Sequence, residues 1–239
     1  LSGGADSAIC AVMVAEMAKR VSASLGVEVF RHILQKPDLN TVEEVMPHLL
    51  ACAYQSTRNS SSLTEHAAKT LATSLGATFY TWSVQPEVDS YISKVEQAVK
   101  TSLNWENNDI VLQNIQARAR SPIIWMLANL RNSILLTTSN RSEGDVGYTT
   151  MDGDTSGSLA PVSGLDKPTI LNWLKWAEVN LGYTGLQHVN SIKPTAELRP
   201  PDKHQTDEDD LMPYTVMRNI EEQAIYLKKS PAQTFHSLR

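Results

Sequence analysis

Six residues near the start of the chain, Ser2-Gly3-Gly4-Ala5-Asp6-Ser7, combine two glycines, two hydroxyls and a carboxylate just before an apolar helical pattern. A loop of small residues that opens a helix binds anions, because backbone N–H groups and the helix dipole point at the ligand. The glycines let the backbone approach a phosphate closely, and an aspartate can hold Mg²⁺. The loop therefore predicts a phosphate site. It differs from the Walker A loop, since no lysine follows the glycines; a plain glycine turn that caps a helix is the alternative.

A second carboxylate, Glu143, lies in the segment Thr138-Ser139-Asn140-Arg141-Ser142-Glu143-Gly144. Two carboxylates together with phosphate oxygens suit Mg²⁺, which takes few protein ligands. We therefore predict that Asp6 and Glu143 share a metal site, with a solvated loop acid as the alternative for Glu143. Lys167 ends a glycine-rich stretch and could neutralise phosphate charge; an exposed lysine at a helix start is the alternative there.

Two arginines, Arg118 and Arg120, stand at spacing i, i+2 on a predicted helix, so they face different sides of it. One of them could clamp a phosphate or a carboxylate, while the other is structural. The acidic run 207–210 follows Thr206 and is typical of a helix start, where a capping box and acidic side chains stabilise the first turn. The histidines show no metal-ligand spacing, so we assign no metal to them.

Short apolar strands alternate with helical patterns, which predicts an open parallel sheet with helices on both faces, an α/β fold. The predicted strands are 49–54, 78–84 and 133–138, and 27–33 is a candidate for another. The predicted helices are 7–20, 63–75, 88–103, 109–130, 168–181 and 213–228, and the stretch 139–167 is broken by glycines and has no periodicity. Ligands of such sheets bind beyond the carboxyl ends of the strands, so we expect the first loop and the stretch 139–167 to meet at one crevice.

Length and composition predict one globular domain, because 239 residues with 41% hydrophobic and 20% charged side chains can bury a large core. A net charge of −5 without a basic block argues against a nucleic-acid partner. No apolar run reaches the roughly 18 residues of a membrane helix, and no signal peptide is visible. Cys10 and Cys52 lie in apolar stretches, which predicts buried reduced thiols and a cytoplasmic protein.

Taken together, these motifs resemble the NAD synthetase family of ATP pyrophosphatases, the PP-loop enzymes, over most of the chain. The matching parts are 1–7, 114–120, 137–147, 153–167, 194–198, Gln205-Thr206-Asp207-Glu208 and Pro213-Tyr214. The resemblance implies a Rossmann-like, adenine nucleotide alpha hydrolase-like fold and a ligase that forms a carbon–nitrogen bond. In its first step the nicotinate carboxylate of deamido-NAD attacks the α-phosphate of ATP and releases pyrophosphate. Ammonia then attacks the adenylate and gives NAD and AMP.

The same resemblance implies roles for individual residues. ATP would be held by Ser2, Gly3, Gly4, Asp6, Ser7, Thr138, Lys167 and Thr195. Mg²⁺ would bind Asp6 and Glu143, and the catalytic residues would be Asp6 and Lys167. An arginine of the motif 114–120 would contact deamido-NAD; Arg118 is the first candidate and Arg120 is the second. The resemblance also implies a homodimer or a higher homo-oligomer.

The segment 150–158 departs from the small ammonia-dependent members of the family, because Met151 and Ser158 stand where those carry lysine and aspartate. It is more similar to the larger glutamine-dependent members, in which an N-terminal nitrilase-like amidase makes the ammonia. A phosphate loop normally follows a strand, so we expect residues 1–239 to be the synthetase domain of a longer enzyme, without its first strand and amidase domain. The nitrogen source stays open between ammonia and glutamine.

Two other functions are compatible with the motifs. One is another amidating PP-loop enzyme that resembles GMP synthetase and binds xanthosine monophosphate. The other is a non-catalytic module that binds ATP without turnover, an alternative motivated by Met151 and Ser158. Release of pyrophosphate from ATP in the presence of deamido-NAD would exclude the non-catalytic module, and tight binding of xanthosine monophosphate would favour the GMP synthetase-like enzyme.

Overall fold

The structure is a computed structural model that describes residues 1–203 and 206–238, so the predicted motif residue Gln205 lies outside the described residues. Most of the described chain is helical. The helices are α1 (Ala5–Leu25), α2 (Glu28–Leu34), α3 (Val42–Leu49), α4 (Ser62–Ser74), α5 (Gln85–Val99), α6 (Asp109–Leu130), α7 (Arg141–Val146), α8 (Lys167–Asn180), α9 (Gln187–Ser191), α10 (Asp207–Asp210), α11 (Tyr214–Glu221) and α12 (Pro231–Ser237). Short 3₁₀ turns cover Thr184–Leu186 and Pro201–Lys203, and a π-helical turn, Glu222–Tyr226, follows α11.

The sheet consists, within the described residues, of two parallel strands, β1 (Ala51–Ser56) and β2 (Thr78–Ser83), with Ala51 opposite Thr78. Helix α4 connects them, which is the connection that parallel strands require. The centre of β1 is buried on both faces, as expected for a strand covered by helices. The parallel sheet and the α/β class predicted from the alternating pattern are thereby confirmed.

Helix α1 is the centre of the core. Alanines and branched apolar residues occupy its inner side, and Ala8, Val12 and Ala18 have no exposed surface. Small residues let neighbouring helices approach closely, and α1 contacts α3, α4, α8 and α9. The amino terminus of α1 is therefore held firmly where it leaves the loop 2–4.

Two strand predictions are wrong: the segment 27–33 is mostly helical, and the segment 133–138 pairs at a single position. Residues 27–33 are mostly helix α2, because Phe30 is the one buried residue of that helix and packs into the core, while Ile33 is 67% exposed. Residues 133–138 form only a single parallel bridge between Leu136 and Leu159. The partner segment is rich in turns, and its Gly157 packs directly on the backbone of residue 137. A strand needs an extended partner, and here the extended pairing is limited to this bridge.

The glycine-rich stretch 139–167 contains a short helix that periodicity did not predict. Helix α7 begins after Asn140, whose side chain accepts a hydrogen bond from the backbone N–H of Glu143. An asparagine at this position stabilises a helix start, and six residues are too few to show an apolar period. No helix in the described part of the chain is long and apolar enough to cross a bilayer.

Candidate functional site

One large cavity of about 670 Å³ lies beyond the carboxyl end of β1 and at the amino terminus of α1. It brings together most of the residues that the motifs singled out. Its walls include Ser2, Gly3, Gly4, Asp6, Ser7, Arg120, Thr138, Glu143, Lys167 and Thr195. The first loop and the stretch 139–167 thus meet at one crevice, which is the place where open α/β sheets bind ligands.

The glycine loop turns sharply at Gly3, whose φ of +83° lies in the region that glycine adopts without strain. A Cβ at this position would overlap the backbone carbonyl of Thr64, the helix residue on which the loop rests. The N-cap of α1 is Gly4, which offers no side chain to the amides of the first turn. The loop therefore presents a helix amino terminus and two hydroxyls, Ser2 and Ser7, to the cavity, an arrangement that favours an anion.

A cluster of four charged side chains, which we call the Lys167 cluster, lies on the wall beside this loop. The buried Nζ of Lys167 donates to Asp6 Oδ2 at 2.5 Å and to Glu143 Oε1 at 3.0 Å. Asp207 Oδ2 lies 3.7 Å from the same nitrogen. The four residues come from α1, α7, α8 and α10, so only the folded chain assembles them.

The Lys167 cluster carries more negative than positive charge. Burial raises the pKa of Glu143 to about 7, and the nearby charge of Asp6 adds to the shift even though Lys167 opposes it. Burial also raises the pKa of Asp207. Burial alone would lower the pKa of Lys167, but the surrounding carboxylates outweigh it and raise that pKa, so the lysine stays charged.

The cluster has the charge and the donor type that suit a divalent cation. Its excess of negative charge and the carboxylate oxygens of Asp6 and Glu143 could hold Mg²⁺, which takes few protein ligands and completes its shell with water or with oxygens of a bound ligand. Among the described residues no group of three or more histidine, cysteine, aspartate or glutamate side chains is arranged to hold a metal by itself. The arrangement therefore suits a metal shared with a ligand rather than a closed protein cage.

Two residues of the site were not identified from the sequence. Asn140 is 2% exposed; its Nδ2 donates to Asp6 Oδ1 at 2.9 Å, and its Oδ1 accepts the N–H of Glu143 at 3.0 Å. Asp207 was assigned to helix capping, and Thr206 does cap α10, yet the Asp207 carboxylate turns inward and accepts a hydrogen bond from Tyr214. For Asn140 a sequence signal was available, because an asparagine three residues before Glu143 is typical of a helix start. For Asp207 there was none, because the sequence does not show which aspartate of an acidic run points into the protein.

The two arginines of α6 separate as their spacing requires. Arg120 lies in the cavity wall, and its Nε donates to the carbonyl of Gln55 at the end of β1, at 3.1 Å. Arg118 is exposed and does not contribute to the cavity wall; its Nε donates to the carbonyl of Met151 at 3.0 Å. The substrate role given first to Arg118 stays a prediction, and the geometry favours Arg120 for a ligand in this cavity.

The segment 194–199 closes one side of the cavity and brings Thr195 to its wall. Glu197, at a φ of +48°, fastens it: its carboxylate accepts hydrogen bonds from the hydroxyl of Ser61 at 2.6 Å and from that of Thr64 at 2.8 Å. Asn59 and Gln116 both donate to the carbonyl of residue 198. The segment therefore rests on the same helix start, at Thr64, that supports the glycine loop.

Comparisons with known proteins agree with this geometry. A family model described as NAD synthase matches residues 1–237. The glutamine-dependent NAD(+) synthetase of Arabidopsis thaliana is 31% identical over 88% of this chain and 33% of its own length. A crystal structure of a glutamine-dependent NAD(+) synthetase from Cytophaga hutchinsonii superposes with a TM-score of 0.87 at 46% identity, over 99% of this chain and 40% of that one.

A more distant structure, the NMN synthetase of Francisella tularensis, has a TM-score of 0.65 at 22% identity over all of this chain and 79% of that one, which shows a shared fold. The chain spans about a third of the length of the curated relatives it matches. Because the family model covers nearly every residue and the glycine loop and the Lys167 cluster meet in one cavity, the chain belongs to the NAD synthase family.

Proposed function

We propose that this chain catalyses the ATP-dependent amidation of deamido-NAD to NAD. The nicotinate carboxylate attacks the α-phosphorus of ATP and expels pyrophosphate; ammonia then attacks the acyl carbon of the adenylate and expels AMP. The observation that carries the proposal is the convergence of an anion-binding glycine loop with the Lys167 cluster in one cavity. Relatives support the proposal, because the Arabidopsis thaliana protein and the Cytophaga hutchinsonii structure are both named glutamine-dependent NAD(+) synthetases.

In this reaction the chain's own residues bind and orient charge. The amides of the glycine loop and the hydroxyls of Ser2 and Ser7 hold the leaving pyrophosphate, and Lys167 offsets the charge that develops on it. Thr138 and Thr195 hold the nucleotide from opposite segments of the wall. The mixed anhydride supplies the driving force, so no nucleophilic side chain is required.

We further propose Mg²⁺ as the metal, held by Asp6 and Glu143. When bound, it would polarise phosphate oxygens and help to neutralise the pyrophosphate. ATP as the nucleotide is supported by a solved NAD+ synthetase of Acinetobacter baumannii in complex with adenosine diphosphate. Arg118 and Arg120 are the proposed deamido-NAD contacts. A homodimer and a cytoplasmic location complete the proposal, and the nitrogen comes from ammonia or from glutamine through an amidase domain.

The test is a product balance. The purified chain is mixed with ATP, deamido-NAD, Mg²⁺ and an ammonium salt, and NAD, AMP and pyrophosphate are measured together. The proposal expects the three products in equal amounts and none without deamido-NAD. ATP binding without pyrophosphate release would contradict it and would favour the non-catalytic module. Replacing ammonium with glutamine in the same assay tests glutamine as a direct nitrogen source.

A further inference from the structure

Behind the Lys167 cluster lies a second group of charged and aromatic side chains, which we call the Arg141 cluster: Arg141, Asp166, Glu221 and Tyr226. Nη2 of Arg141 lies 3.0 Å from Asp166 Oδ2 and 3.2 Å from Glu221 Oε2. Its Nη1 donates to the hydroxyl of Tyr226 at 3.1 Å. The side chains of Asp166 and Glu221 are only 8% and 4% exposed, so these ion pairs are shielded from solvent.

The Arg141 cluster joins the segments that deliver three members of the Lys167 cluster. Arg141 begins α7 two residues before Glu143. Asp166 immediately precedes Lys167 and caps α8 by accepting the N–H of Thr169 at 2.7 Å. Arg141 itself is therefore close in the chain to Glu143, and its partner Asp166 is the chain neighbour of Lys167.

The third connection runs through α11. Glu221 ends this helix, and Tyr214 at its other end donates its hydroxyl to Asp207 at 2.8 Å. Arg141 is thus linked through one rigid helix to the aspartate that faces Lys167. Guanidinium suits this position because its planar fork directs one nitrogen, Nη2, to the two carboxylates and another, Nη1, to Tyr226, whereas an ammonium has a single nitrogen.

Backbone contacts in the same place show how closely the two catalytic segments are joined. The N–H of Arg141 donates to the carbonyl of Leu165 at 2.9 Å. The N–H of Lys167 donates to the hydroxyl of Ser142, which is fully buried, at 3.2 Å. Because α7 is one short helix of six residues, it depends on such tertiary contacts for its position.

We propose that Arg141 is a positioning residue, which holds α7, α8 and α11 in the arrangement at which Glu143, Lys167 and Asp207 converge on Asp6. Arg141 does not belong to the cavity wall and touches no substrate in this account; it acts through the residues it places. The expected effect of Arg141 on turnover rests on the proposed function, whereas its effect on the position of Lys167 rests on geometry alone.

The experiment compares Arg141→Met with Arg31→Met. Arg31 is a matched control, because it also pins a loop through Leu39 and Asn40 and none of these residues lines the cavity. The first measurement is acetylation of Lys167 in the folded protein by an activated acetate ester, quantified by mass spectrometry relative to the exposed Lys94. It uses no substrate, so it remains valid if the chain does not turn over.

We expect Lys167 to be labelled several times faster in Arg141→Met than in the wild type, and at the wild-type rate in Arg31→Met. The second measurement is turnover: kcat should fall about 100-fold in Arg141→Met with a much smaller change in the KM for ATP, because a misplacement near 1 Å costs about that much. The melting temperatures of the two variants show whether the general loss of stability is similar.

Equal labelling of Lys167 in Arg141→Met and Arg31→Met would overturn the proposal, and so would a kcat within twofold of wild type. If Arg141→Met does not fold, Arg141→Lys takes its place, since it keeps the charge but replaces the two contacting nitrogens, Nη1 and Nη2, with one. The same two readouts then apply, with smaller changes expected. If the wild-type protein shows no turnover, the proposed function is contradicted, and the labelling result alone decides the role of Arg141.

Discussion

At the scale of single residues, the centre of the site is the buried ammonium of Lys167 and the carboxylates that face it. Lys167 contacts Asp6 and Glu143 directly and Asp207 at longer range. Motif resemblance assigned site roles to Lys167, Asp6 and Glu143. Asn140 and Asp207 lie in strings of the same resemblance but received no site role, because their contacts depend on side-chain direction and burial, which appear only after folding.

Replacing Asp6 by asparagine should stop turnover without unfolding the chain. Asparagine keeps the shape and a hydrogen-bonding oxygen, but it removes the charge that faces Lys167 and the proposed metal. We expect kcat to fall about 100-fold or more, the usual cost of removing one electrostatic contact at a reacting phosphate. Pyrophosphate release at saturating Mg²⁺ measures the effect. Asp89→Asn, which removes an exposed ion pair with Arg58, is the control and should retain wild-type turnover.

A second residue-scale prediction separates the two arginines of α6. Arg120 lies in the cavity wall and Arg118 does not, so Arg120→Gln should raise the KM for deamido-NAD more than Arg118→Gln does. Steady-state kinetics with each substrate varied in turn give the comparison. If Arg118→Gln has the larger effect, and acts on deamido-NAD more than on ATP, the order inferred from the resemblance is right and the substrate extends beyond this cavity.

At the scale of elements, the long helices were predictable and the edge of the sheet was not. The predicted bounds of α6 coincide with the observed ones because 22 residues give several apolar turns. The strand prediction at 133–138 was wrong in extent because its partner segment contributes only Leu159, and the one at 27–33 was wrong in type because those residues form helix α2. The sequence of one segment does not show whether the segment that would pair with it is extended.

The glycine loop gives an element-scale prediction about stability. Gly3→Ala should lower the free energy of unfolding by at least about 1 kcal/mol, from the left-handed backbone alone, and by more because its Cβ would meet the carbonyl of Thr64. Gly144→Ala is the matched control: no atom lies within 4 Å of its Cβ position in α7, so we expect a gain of about 0.5–1 kcal/mol. Urea unfolding measures both, and an equal change in the free energy of unfolding of the two variants would show that the loop tolerates a side chain at Gly3.

At the scale of the whole molecule, one core joins α1 to the strands and to α8. Cys10 and Cys52 lie inside it, both as free thiols, as the apolar surroundings of the two residues predicted. Burial raises the pKa of the Cys10 thiol to about 12 and also raises that of Cys52. The composition indicated that the chain could form a large core. Only the structure shows which segments meet in it.

These thiols should report on global unfolding. Only the thiolate attacks a disulfide reagent, and at mildly alkaline pH a thiol with a raised pKa remains protonated. We expect Ellman's reagent to react with neither cysteine in the native protein and with both in denaturant. The reaction rate should follow the fraction unfolded as urea increases. Fast reaction of either cysteine without denaturant would show that the core around α1 opens locally.

The buried ammonium of Lys167 has a consequence for how distant parts of the chain are joined. Its three carboxylate neighbours come from helices α1, α7 and α10, and the one positive charge offsets the repulsion among them. A neutral side chain at this position would leave three largely buried carboxylates facing one another without a cation between them. Lys167 is therefore a built-in counter-ion, on which the meeting of three separate segments depends.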